Sequence, residues 1–236
     1  MKIKSNRSNK LRSAIRWGLT VLCICGTGAP AVFAETLNIV TQSDYDTSTS
    51  NHGGYLYLYS GSSNNTVIIG QTGGGTVPVF SGATVVDGGY NTTSADASSN
   101  TLIINSGSKI SSSTYGGAIG AFGGNTWYGN ANNNTVSING GMFEGSNCNI
   151  VGGYSQATGN ANNNTVTING GTINGTTNKA YIEGGQSGNQ VNATANNNTI
   201  TINGGTISNA RIEGAESGYK LADRNAVTNN NTITIN

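Results

Sequence analysis

The chain has 236 residues, among them 36 glycines, 36 asparagines and two prolines, and only 9% are charged. Six of its eleven basic residues (Lys2, Lys4, Arg7, Lys10, Arg12 and Arg16) precede residue 17 with no acid among them, so residues 35–236 hold five bases against ten acids, a net −5. A charge-poor, mildly acidic surface without a basic patch sets aside nucleic acid and anionic lipid as partners.

The basic leader runs into the apolar stretch Trp17-Gly-Leu-Thr-Val-Leu-Cys-Ile-Cys25, and Val32-Phe-Ala34 stands before Glu35. This three-part pattern predicts a secretory signal peptide over residues 1–34, cleaved after Ala34. The apolar stretch is too short to span about 30 Å of hydrocarbon. Bulky Leu22 and Ile24 precede its two cysteines, where a lipidation site needs a small residue. Cleavage leaves Cys148 alone, so no internal disulfide is expected, and a small buried apolar role suits the thiol.

Residues 35–60, with the aromatic run Tyr55-Leu-Tyr-Leu-Tyr59, are expected to form an N-terminal cap. From 61 to 236 the chain repeats itself. The clear copies are Ala131-Asn-Asn-Asn-Thr-Val-Ser-Ile-Asn-Gly-Gly141, Ala161–Gly171, Ala195–Gly205 and Asn229–Asn236, with weaker ones at Asn100–Asn105, Asn65–Ile69 and Thr36–Ile39. The fourth clear copy stops partway through the motif, which leads one to expect a longer parent chain. Copies recur every 30–35 residues, and Val136 and Ile138 alternate with Thr135 and Ser137. A short period-two segment repeated at that interval predicts a solenoid built from strands.

Two further strands are expected in each coil. One follows Gly-Gly (Met142-Phe143, Thr172-Ile173, Thr206-Ile207). The other precedes a second glycine-rich turn (Val86–Tyr90, Ala118–Phe122, Ile150–Tyr154, Ile182–Gln186, Ile212–Glu216). Three strands per coil predict an all-β, right-handed parallel β-helix, the hand following from the rule for parallel crossovers. Asn and Gly suit corners that need a left-handed backbone. Asparagines in equivalent places, about 4.8 Å apart, could form hydrogen-bonded ladders. Pro78 is the one proline in the mature chain, so little interrupts parallel pairing.

Chemistry-bearing motifs are sparse. His52 has no carboxylate or cysteine partner nearby in sequence, and no nucleophile elbow, phosphate loop, zinc spacing or calcium nonapeptide occurs. Asp87, Glu183 and Glu213 share one place in their coils, with Ile119 and Val151 in the intervening ones. They are weak candidates for an acidic patch that binds a cation or flanks a glycosidic bond. An outward ion-pair cluster with Arg211 is the plainer expectation. No catalytic residue, cofactor or dedicated metal ligand is assigned. Outward ranks such as Thr165/Thr167 and Thr199/Thr201 resemble ice-binding faces, but Leu102-Ile103 and Val67-Ile68 interrupt them.

The basic leader, the Asn-Asn-Asn-Thr-(Val/Ile)-(Thr/Ser)-Ile-Asn-Gly-Gly repeats and the Ile-x-Gly-Gly-Tyr turns together resemble the passenger regions of bacterial autotransporters and related surface adhesins. The resemblance implies an exported, non-catalytic stalk at the cell surface or outside the cell. Its partners would be host or neighbouring-cell surfaces, protein or glycan. Membrane contact would come only through a C-terminal β-barrel. Specificity would lie in the corner loops Tyr154–Asn160, Gln186–Ala195 and Ser217–Thr228. The alternative is a polysaccharide lyase or hydrolase acting through Glu183 and Glu213, with an ice-binding solenoid third.

Overall fold

The computed structural model describes residues 36–41, 44, 50–52, 55–58, 63–70, 79–81, 83–111, 118–188, 192–217 and 227–236. The expected signal peptide and Pro78 lie outside them, as do parts of the loops at 186–195 and 217–228. No helix among the described residues is long and apolar enough to cross a membrane. The fold is an all-β solenoid of stacked parallel sheets.

The first sheet stacks the repeat motif itself. Its strands are β1 (Thr36–Ile39), β4 (Thr66–Ile69), β7 (Thr101–Ile104), β10 (Thr135–Ile138), β13 (Thr165–Ile168), β16 (Thr199–Ile202) and β19 (Thr232–Ile235), in that order. Every motif threonine pairs with the next, from Thr36 to Thr232. The second sheet holds β5 (Val79–Ser81), β8 (Lys109–Ser111), β11 (Met142–Gly145), β14 (Thr172–Gly175) and β17 (Thr206–Ser208). The third holds β3 (Tyr55–Leu58), β6 (Ala83–Asn91), β9 (Ala118–Thr126), β12 (Asn147–Ser155), β15 (Ala180–Gln186) and β18 (Ala210–Glu213). At its edge β2 (Ser50–His52) pairs antiparallel with β3, so the stretch expected as a cap contains a reversed outer strand and two regular coil strands, β1 and β3.

One alternate face of each strand fills the interior. Val67, Leu102, Val136, Val166 and Ile200 stack in one row, and Ile39, Ile69, Ile104, Ile138, Ile168 and Ile202 in another. Facing them are Ile110, Phe143 and Ile173 from the second sheet and Val86, Ala121, Ile150 and Ile182 from the third. Each such side chain contributes about 1.5–3 kcal/mol before ordering costs. Cys148 belongs to this core, and burial pushes its thiol up to about 12.

The three asparagines of each Asn-Asn-Asn-Thr corner do different jobs. The first (Asn132, Asn162, Asn196) accepts, at Oδ1, the backbone N–H of its counterpart one coil later, at 2.6–2.7 Å. The second (Asn133, Asn163, Asn197, Asn230) turns the chain with φ of 55–59°, and Asn64 and Ser99 take this place in the weaker copies. The third is buried in every coil but the last, where Asn231 is half-buried, and forms the ladder Asn65–Asn100–Asn134–Asn164–Asn198–Asn231, each Nδ2 donating to the next Oδ1 at 3.0–3.2 Å. The same Oδ1 also takes the backbone N–H of the preceding asparagine at 2.8–3.0 Å.

This ladder explains the second Gly-Gly motif. A Cβ on Gly152 would stand 2.8 Å from Asn164 Cβ and would overlap Gly184 O. One on Gly153 would stand 2.6 Å from both amide atoms of Asn164. The glycines therefore let the third strand close against the ladder, and they do so inside β6, β9, β12 and β15, not in turns as the sequence suggested. Their fixed place also corrects the alignment of one coil. Asp87 pairs with Phe122, and Val86 with Ala121, so Ala121-Phe-Gly-Gly124 is the motif copy and Ile119 pairs with Thr84. Both Ala118-Ile-Gly and Ala121-Phe-Gly fit the apolar pattern. Only the second carries paired glycines beside the ladder, as Gly152-Gly153 and Gly184-Gly185 do; the last coil has Gly214-Ala215 there.

Candidate functional site

On the third sheet the row beside the inward Ile182 and Ile212 runs Asp87, Phe122, Val151, Glu183, Glu213. Three residues on, across the Gly-Gly pair, a second row runs Tyr90, Asn125, Tyr154, Gln186, with Glu216 bridged to Gln186. The rows touch. Phe122 stacks on Tyr154 with ring centroids 5.3 Å apart, and Asn125 Nδ2 donates to Asp87 Oδ2 at 3.3 Å. The outward face is therefore covered at Asp87 and Glu183, whereas Glu213 and Glu216 stay part-exposed.

Asp87 is fully buried and Glu183 is 3% exposed. Burial holds the Asp87 carboxyl well above its ordinary range, opposed by the Asn125 hydrogen bond. Asp87 Oδ1 has no hydrogen-bond partner among the described residues. It stands apart from the other two candidates, with Phe122 and Val151 between.

Glu183 and Glu213 are register partners on adjacent coils, and Glu216 joins them, with one carboxylate oxygen of each within 4.8 Å of the others. Glu216 is the member that sequence reasoning missed. It occupies the place held by Tyr90 and Tyr154 in other coils, so nothing aligned it with an acid. Arg211 pairs with Glu213 Oε1, as expected, and leaves Glu213 Oε2 buried without a partner among the described residues. Glu183 Oε2 is likewise unpartnered among the described residues. Gln186 Nε2 donates to Glu216 Oε2 at 3.3 Å. Desolvation, then the negative charges of Glu216 and Glu213, push Glu183 up to about 8 against the lowering effect of Arg211. Desolvation and Glu213 also raise Glu216.

A different surface lies at the corner after β9. Trp127 and Tyr128 are 43% and 50% exposed, and Trp127 Nε1 donates to Tyr90 OH at 3.2 Å. The corner one coil later stacks directly on this one. Ala157 N–H donates to Trp127 O at 2.9 Å, and Thr158 Oγ1 to Tyr128 O at 2.6 Å. His52 lies in β2, away from the acidic cluster in the strand order. Comparison of the chain with protein-family models, curated proteins and solved structures finds no match.

Proposed function

We propose that the chain is an exported surface stalk of the autotransporter or adhesin type, which presents corner residues to a host or neighbouring-cell surface, protein or glycan. The observation that carries this reading is the single register that runs through every strand of the first sheet, from Thr36 to Ile235. Stacked units that contact only their neighbours build a rod with a long lateral surface. Variable corners on such a rod are natural contact points. Exposed aromatics, as at Trp127 and Tyr128, suit the faces of sugars or protein side chains.

The test is binding of the purified chain to cells and to a glycan array. Trp127→Ala with Tyr128→Ala, and shortening of the corners at 154–160, 186–195 and 217–228, should weaken binding roughly tenfold or more without changing the circular dichroism. Equal binding by all four proteins and the parent would remove the assignment.

The enzyme alternative has one feature in its favour, a carboxyl group with a raised pKa beside a second carboxylate. Glu183 is only 3% exposed, however, which gives a glycosidic oxygen little access to it. Glycan cleavage by the parent that Glu183→Gln abolishes would restore that reading.

A further inference from the structure

We propose that Glu183, Glu213 and Glu216 form a binding site for one calcium ion, held between two successive coils of the solenoid. The site is independent of what the rod adheres to.

Geometry comes first. Two oxygens that touch one Ca2+ at about 2.4 Å lie at most about 4.8 Å apart. One oxygen from each of the three carboxylates falls within that span of the others. Register pairing of Glu183 with Glu213 sets two of them side by side, and the Gln186–Glu216 bridge holds the third.

Unsatisfied chemistry is the second, independent observation. Glu183 is 97% removed from solvent, and its Oε2 has no partner among the described residues; Glu213 Oε2 is in the same condition. An ionised carboxylate can only accept, so once the Glu183 proton has left, these two oxygens call for a donor or a cation. Arg211 engages only Oε1 of Glu213. Asp87 shows the contrast: it too has an orphaned oxygen, but among the described residues it belongs to no group of three ligating side chains.

Charge selects the ion. Three carboxylates and one guanidinium leave −2, which a divalent cation neutralises. An all-oxygen donor set favours hard cations over zinc or copper. Ca2+ accepts irregular geometry and completes its shell with water, whereas Mg2+ demands a compact octahedron. Without the ion, the proton on Glu183 lowers the same repulsion, so binding must displace it.

Calorimetric titration of the full chain with CaCl2 at pH 7.5 tests this. One site with a dissociation constant on the order of 10⁻⁴ to 10⁻³ M is expected, as in extracellular calcium modules. Its heat should vary with buffer ionisation enthalpy, because a proton leaves Glu183. Tm should rise with CaCl2. Glu183→Gln should weaken binding more than tenfold while keeping the parent's circular dichroism, and Glu144→Gln, outside the cluster, should change neither affinity nor Tm shift. No heat and no Tm shift up to about 10 mM CaCl2, well above such constants, would overturn the site. So would an equal response to MgCl2, which would mark general charge screening.

Discussion

Replacing Asn164 by alanine tests what holds the coils together. Asn164 Oδ1 accepts Asn134 N–H at 2.8 Å and Asn134 Nδ2 at 3.1 Å, and both asparagines are fully buried. Alanine orphans both donors at about 1–3 kcal/mol each. It also removes the Asn164 Nδ2 bond to Asn198 at 3.0 Å, worth about 1 kcal/mol because Asn198 Oδ1 keeps the Asn164 backbone N–H at 2.8 Å. The sum, about 3–7 kcal/mol, is a large share of the roughly 5–15 kcal/mol that stabilises an ordinary domain. The neighbour supplies the control. Asn163 is exposed with φ of 58°, so Asn163→Ala should cost only about 1–2 kcal/mol, and Asn163→Gly close to nothing. Urea unfolding followed by far-ultraviolet circular dichroism ranks the three. Should Asn164→Ala lose no more than Asn163→Ala, the buried ladder is not what binds one coil to the next.

Gly153→Ala should destabilise by more than about 2 kcal/mol, the scale of overpacking a tight core, since its Cβ would press on the Asn164 amide; unchanged urea unfolding would show that the third strand can move away. The thiol of Cys148 should resist alkylating reagents at pH 8 in the native chain and react on unfolding, because it is buried and its pKa lies at about 12. Glu183 makes stability depend on pH. Its folded pKa of about 8 exceeds its ordinary 4.5, so between those values the folded chain holds a proton that the unfolded chain has lost. Stability should therefore fall as pH rises from about 4.5 to about 8 in the absence of divalent ions, with a total of a few kcal/mol. Glu183→Gln should remove most of that fall, leaving a share to Asp87, whose raised pKa acts in the same direction.

The repeat made most of the fold legible. Threonines spaced by 30 to 35 residues are the register partners of the first sheet, and the alternation of Val136 and Ile138 with Thr135 and Ser137 is the alternation of buried with half-buried side chains. Misreadings arose where two candidate frames satisfied the same apolar pattern. Ala118-Ile-Gly and Ala121-Phe-Gly differ only in which one carries two glycines, and the reason for two glycines is Asn134, ten residues beyond the second of them. The acidic site was half visible. Glu183 and Glu213 share a motif position, so alignment found them, whereas Glu216 enters through the fold across Gly214-Ala215. Burial was invisible for the same reason: the second row covers the first only after the strand passes through its glycines.

The polarity of the ladders explains why a departure from the repeat carries information. In the buried ladder each amide donates toward the later coil, as from Asn134 to Asn164. Along the second line, Asn105–Asn139–Asn169–Asn203–Asn236, each donates toward the earlier one, as from Asn169 to Asn139. Each stack aligns its own amide dipoles and gains from that alignment, while the two stacks oppose each other. Each added coil extends both ladders by one neutral amide bond, so the uncharged repeat grows at constant local cost. Glu183, Glu213 and Glu216 break that rule. They place three carboxyl groups, with two unpartnered oxygens among them, where the coils of β9 and β12 carry Phe122, Val151 and Tyr154. Asp87 is a single buried acid in the same row, steadied by Asn125, whereas the three gathered carboxyl groups are the larger departure from the neutral repeat and the one a bound cation would complete.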